Sequence, residues 1–149
     1  MRTLVLCVGN VMRSDDGFGL AVCDELRARG IEVIASGPDI SEILDRLQGL
    51  DRLVLVDAVD FGGEPGSLIV RSMEELDTME IRTSTHSLSP IQFLRLVREL
   101  TGYPREVLIV GVQPKDLGIG EGLSEEVRGS LESAVNAVLS ALAPEGALR

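Results

Sequence analysis

The sequence predicts an α/β protein, a three-layer α/β/α sandwich around a mostly parallel five-stranded sheet with one antiparallel strand at about 67–72. Three observations predict it. The runs TLVLCVG (3–9), RLVLVDAV (52–59) and EVLIVGV (106–112, followed by Gln113) are almost continuously apolar, as strands buried on both faces of a parallel sheet are. Helical periodicities fall between the runs, so strand and helix alternate. The stretch FGGEPG (61–66) is too short for a crossover helix, so the strand after it must turn back.

Strand one, 3–9, is followed by a helical pattern from Gly17 to Gly30 with Leu20, Ala21, Leu26 and Ala28 as its apolar residues. EVIAS (32–36) is a shorter strand candidate. Asp39 to Leu50 has Ile40, Ile43, Leu44 and Leu47 at helical spacing. After 52–59, SLIVRS (67–72) alternates apolar and polar residues, which predicts an edge strand. Pro90 to Leu100 carries Ile91, Phe93, Leu94, Leu96 and Val97, with Ser89 as N-cap and Pro90 at the first helical position. Strand 106–112 follows. The last helix runs from Ser124 to Leu142 on Val127, Leu131, Ala134, Val135 and Val138, and its SEE start (124–126) fits a first turn capped by Ser124 and acidic.

The 149 residues suit one domain, 1–149. A net charge of −10 argues against nucleic acid and anionic membranes as partners. No run approaches the roughly 18 apolar residues of a membrane span. These features lead us to expect a cytoplasmic protein, with a monomer as the default. Cys7 falls in a strand and Cys23 on a helix, without disulfide or zinc spacing, so both are expected in the core.

In parallel sheets the active crevice lies outside the carboxyl ends of the strands. That rule selects GNVMRSDDG (9–17), DAVDFGG (57–63) and VQPKDLG (112–118). The segment TSTHSLSP (83–90) leads into a helix and can reach the same rim. These loops gather Asp15, Asp16, Asp57, Asp60, Gln113, Lys115, Asp116 and the only histidine, His86. Clustered carboxylates repel unless a cation or a proton relieves them. One imidazole and two carboxylates make a plausible shell for a divalent transition metal. Each residue also has a plainer role: Asp15 could cap a helix and Asp57 could hold loop backbone. On the residues alone, the choice between Asp15 and Asp16, and between Asp57 and Asp60, stays open. No GxSxG elbow, HExxH helix, P-loop or GxGxxG motif is present.

GNVMRSDDGFG, VDAVDFGGEPG, THSLS and GVQP, in this order and spacing, resemble the hydrogenase maturation proteases over nearly the whole chain. The resemblance implies an α/β/α endopeptidase that removes the C-terminal extension of a [NiFe] hydrogenase large-subunit precursor after nickel insertion. It implies metal ligation, and the catalytic role, at Asp16, Asp60 and His86. The nickel ion (Ni2+) would be carried by the precursor, which is the expected partner. It further implies that Asp15 fixes the loop or the start of the helix.

Two other readings compete. A phosphoacceptor receiver domain could use Asp15/Asp16, Asp57, Thr83 or Thr85, and Lys115. Its lysine precedes a proline, however, whereas Lys115 follows Pro114. A non-catalytic metal- or partner-binding domain could share the same fold.

Overall fold

In a computed structural model, residues 1–82 and 88–143 are described. The strands are β1 (Thr3–Val8), β2 (Ile34–Ser36), β3 (Arg52–Ala58), β4 (Leu68–Ser72) and β5 (Glu106–Val112). They form one sheet in the order β2-β1-β3-β5-β4. β1 pairs in parallel with β2 and β3, and β3 in parallel with β5. Only β4 is antiparallel, and it lies at the edge beside β5.

Successive strand residues face opposite sides, and both sides are buried. Leu4, Leu6, Leu53, Leu55, Val107 and Ile109 face one apolar cluster. Val5, Cys7, Val54, Val56, Val110 and Val112 face the other. The first cluster is covered by α2 (Leu44–Leu47), α3 (Met73–Leu76) and α4 (Pro90–Thr101). The second is covered by α1 (Phe18–Ala28), α5 (Glu125–Arg128) and α6 (Leu131–Leu142). The predicted three layers, the five strands and the reversed edge strand are all present.

The helices differ in detail from the sequence reading. The buried face of α1 is Phe18, Val22, Cys23 and Leu26, while Ala28 is exposed. Gly19 lets α1 sit directly on the sheet, because a Cβ there would run into the carbonyl oxygens of Val8 and Val56. The helix expected over 39–50 is a short 3-10 turn, Ser41–Ile43, followed by the single turn α2. Ile40, Ile43, Leu47 and Leu50 are buried there, but Leu44 faces solvent. The helix expected over 124–142 breaks into α5 and α6 at Gly129–Ser130, where the Ser130 hydroxyl donates to the carbonyl of Gly66. Helix α3 was not anticipated, although Ser72 and Glu75 carry the reciprocal capping box that starts it. Ser89 and Gln92 form a second capping box on α4, with Pro90 at its start as expected.

The chain leaves β3 and reaches β4 by arching over the carboxyl end of β5. Val59 N–H donates to Val112 O (2.9 Å), Gly66 N–H to Gln113 O (2.9 Å) and Gln113 N–H to Ser67 O (2.8 Å). Among the described residues no helix is long and apolar enough to cross a membrane.

Candidate functional site

The sheet order changes direction between β1 and β3: β1 is followed by β2 on one side, and β3 by β5 on the other. Ligands of open α/β sheets bind at such a switch point, outside the carboxyl ends of the strands. Asp16 follows β1 there. Asp57 ends the buried part of β3, and Asp60 lies just past it.

The first loop folds back on itself. Asn10 N–H donates to Asp16 O (3.1 Å), and the Asn10 side chain accepts from Met12 N–H (2.9 Å). Gly9 is required because a Cβ at this position would collide with the carbonyl oxygen of Asp16. A one-turn 3-10 helix, Ser14–Gly17, then leads into α1. Ser14 has a left-handed backbone, φ 51°, a conformation that costs a non-glycine residue about 1–3 kcal/mol unless its surroundings hold it. Here they do. Ser14 N–H donates to Gly120 O (2.9 Å) and its hydroxyl to Gly118 O (3.1 Å).

Asp15 and Asp16 divide their work. Asp15 is fully buried. Its carboxylate accepts from Lys115 N–H (2.8 Å), Asp116 N–H (2.9 Å), Ser124 N–H (2.7 Å) and the Ser124 hydroxyl (2.9 Å). Burial opposes its ionisation, but these donors outweigh burial and hold its pKa below the usual carboxylate value. Asp15 is therefore a loop anchor, the role that the resemblance implied. The same loop uses Lys115 and Asp116 through their backbone. The Lys115 ammonium pairs with Glu126 (2.6 Å). Sequence reasoning read Ser124 only as a helix cap. Its second bond, to Asp15, has no local sequence signature.

Asp16 is half-buried, and burial pushes its carboxyl up against the pull of Arg13 and the Asn10 N–H. Asp57 is buried and raised well above the ordinary value, first by burial and then by the nearby charge of Asp16; the Ala58 N–H (2.8 Å) opposes this. Asp60 Oδ1 accepts from the Gln113 amide (3.0 Å) and Gly62 N–H (3.3 Å). Asp60 also pairs through its backbone with Arg82, whose N–H donates to Asp60 O (2.9 Å). That pairing brings the chain leading to 83–87 alongside Asp60. His86 itself, with Thr83 and Thr85, lies outside the described residues.

None of the ion pairs among the described residues involves Asp16, Asp57 or Asp60. Asp16 and Asp57 are thus carboxyls held under burial without an ion pair among these residues, a strain that a proton or a cation relieves. Among the described residues alone, no three His, Cys, Asp or Glu side chains converge as a metal-holding group. Both cysteines are buried, and burial raises both thiols.

A family model described as hydrogenase maturation protease (HycI) matches residues 22–141. The chain belongs to the hydrogenase maturation protease family. A curated relative of this maturation protease is the hydrogenase expression/formation protein HoxM of Azotobacter vinelandii. The two are 36% identical over 96% of this chain and 73% of the relative. The hydrogenase 2 maturation protease of Escherichia coli K12 is 31% identical over 98% of this chain and 93% of its own. Among solved structures, the [NiFe] hydrogenase maturation protease HybD from Thermococcus kodakarensis superposes with a TM-score of 0.80 at 31% identity. That likeness covers 96% of this chain and all (100%) of the other. Neither the family nor the sheet leaves room for the receiver reading. Receivers order their sheet 2-1-3-4-5, whereas here an antiparallel β4 lies outside β5.

Proposed function

We propose that this maturation protease is the endopeptidase that removes the C-terminal extension of a [NiFe] hydrogenase large-subunit precursor once nickel is in place. Asp16, Asp60 and His86 are its ligands to the metal. The observation that carries the reading is the family match over 22–141, on a fold that sets Asp16 and Asp60 at one switch point. The donor chemistry fits: two carboxylates and an imidazole suit a divalent transition ion. Nickel enters as cargo of the precursor, and three protein ligands leave positions for groups of the precursor itself.

A divalent ion held this way supplies Lewis-acid polarisation of an oxygen. The chain's own residues do the rest. Asp16 and Asp60 present carboxylates from two loops braced by the 113–124 segment. Cys7 and Cys23 are buried with raised thiols, so neither offers a thiolate nucleophile. With no thiolate available, we take water as the attacking group. At the same end of the sheet, Pro38, Ile40, Leu88 and Phe93 line a cleft of about 380 Å³ between the β2–α2 connection and the start of α4. Asp39 and Ser41 add polar groups to its otherwise apolar walls, and its size is that of a ligand pocket.

The test is one batch of precursor reconstituted with and without nickel, with the mass of the large subunit followed after mixing. The loaded sample should lose one C-terminal fragment and the nickel-free sample none. Equal cleavage of both would overturn the role of nickel as the signal. Cleavage of neither would overturn the protease reading.

A further inference from the structure

Gln113 lies at the end of β5, 7% exposed, and the whole β3–β4 arch is gathered around it. Its backbone N–H donates to Ser67 O (2.8 Å), and its backbone carbonyl accepts from Gly66 N–H (2.9 Å). Its side-chain Oε1 accepts from Phe61 N–H (2.9 Å) and Gly63 N–H (3.1 Å). Its Nε2 donates to Asp60 Oδ1 (3.0 Å). We propose that Gln113 is the positioning residue for Asp60, fixing the direction in which that carboxylate faces the metal of the precursor. This rests on the reading of Asp60 as a ligand.

The chemistry of the side chain argues for this role. Two backbone N–H groups need an acceptor, and one carboxylate needs a donor, from the same buried tip. An amide supplies both from two separate atoms, so the acceptor for the loop and the donor to Asp60 do not compete. A carboxylate there could not donate to ionised Asp60. A lysine or arginine could not accept from Phe61 and Gly63, and its charge would compete with a metal cation for Asp60. The two jobs are also separable. Oε1 holds the loop, whereas Nε2 touches only Asp60 among the described residues. Partners of this kind hold a metal ligand in one orientation, and losing them typically costs 10–100-fold in metal affinity.

The experiment titrates nickel(II) ions, up to millimolar, into wild type, Asp60→Ala, Gln113→Leu, Gln113→Asn and Asp60→Ala/Gln113→Leu. Paramagnetic broadening of amide NMR signals near Asp60 gives the affinity, and exchange of the Gly66 amide reports whether the arch is intact. That amide bonds to the Gln113 backbone, which the substitutions keep. Gln113→Leu should weaken nickel about 10-fold or more with Gly66 still protected, and should add nothing in the Asp60→Ala background. If Gln113→Leu unprotects Gly66, Gln113→Asn decides. It keeps an amide, is one methylene shorter and should weaken nickel several-fold. Wild-type affinity in a Gln113 variant with Gly66 protected overturns the inference while leaving Asp60 a ligand. An Asp60→Ala variant that binds like wild type, or a wild type that shows no broadening near Asp60, overturns the ligand reading and the inference with it.

Discussion

Ser124 gives its backbone N–H to one oxygen of Asp15 (2.7 Å) and its hydroxyl to the other (2.9 Å). The same hydroxyl accepts from Val127 N–H (3.4 Å) and so caps α5. One serine therefore ties the loop after β1 to the start of the helix that follows the last strand. Asp15 is the other half of that tie, and its neighbour Asp16 is left to face the crevice.

Asp15→Ala should accordingly destabilise the protein by about 3 kcal/mol, because buried N–H donors lose their acceptor. Asp16→Ala should change stability by less than about 1 kcal/mol, since it removes a carboxylate already disfavoured by burial. Denaturant melts of the two variants at neutral pH check the contrast. Equal losses would contradict the division of labour between the adjacent acids.

Asp57 sets a pH dependence of stability. Its folded pKa is raised, so the folded chain holds a proton that the unfolded chain releases near pH 4. By linkage, the stability attached to that proton is full below about pH 4 and is lost as pH rises through the raised folded value. Asp57→Asn should remove this loss and raise the melting temperature at pH 7 more than at pH 4. Melts across that range test the sign. A variant less stable than wild type at pH 7 would contradict it.

Asp16→Ala, Asp60→Ala and His86→Ala should each fold and each fail to process the precursor. A cleavage gel beside a thermal melt separates the outcomes. Lost folding with lost cleavage would make these residues structural.

Cysteine reagents should leave processing intact. Cys7 and Cys23 are both fully buried, and their thiols are pushed up by burial. A thiol-reactive dye should label neither in the native protein and both in denaturant. Labelling of the native protein coupled with loss of cleavage would bring a thiol back into the reaction.

How legible these features were in the sequence depended on how local their causes are. β1, β3 and β5 are legible because both their faces are buried, which leaves long apolar runs. The cap at Ser89 is legible because its partners lie within four residues. Leu44 and Ala28 misled because periodicity marks apolar residues without saying which the fold covers. The break between α5 and α6 has a tertiary cause, the bond from Ser130 to Gly66. At the site, composition and topology selected loops that follow β1 and β3 at the switch point but could not choose among their acids. Asp15 is set apart from Asp16 by partners about 100 residues away, and Asp57 from Asp60 by burial and by the Gln113 amide that donates to Asp60. No short window of sequence contains that information. His86 lies outside the described residues, so its place still rests on its motif.

The bonds from Asp15 to residues 115–124 also impose an order of assembly during synthesis. The first loop leaves the ribosome 109 residues ahead of Ser124, which donates to both oxygens of Asp15. Until then the buried carboxylate lacks its donors and Ser14 lacks the carbonyls that hold its backbone. Contacts of such long sequence separation form late and slow folding. A nascent chain therefore has both acidic loops before it has an ordered crevice. A ribosome-bound fragment ending before residue 113 would carry both acidic loops without the donors of Asp15 or the carbonyls that hold Ser14.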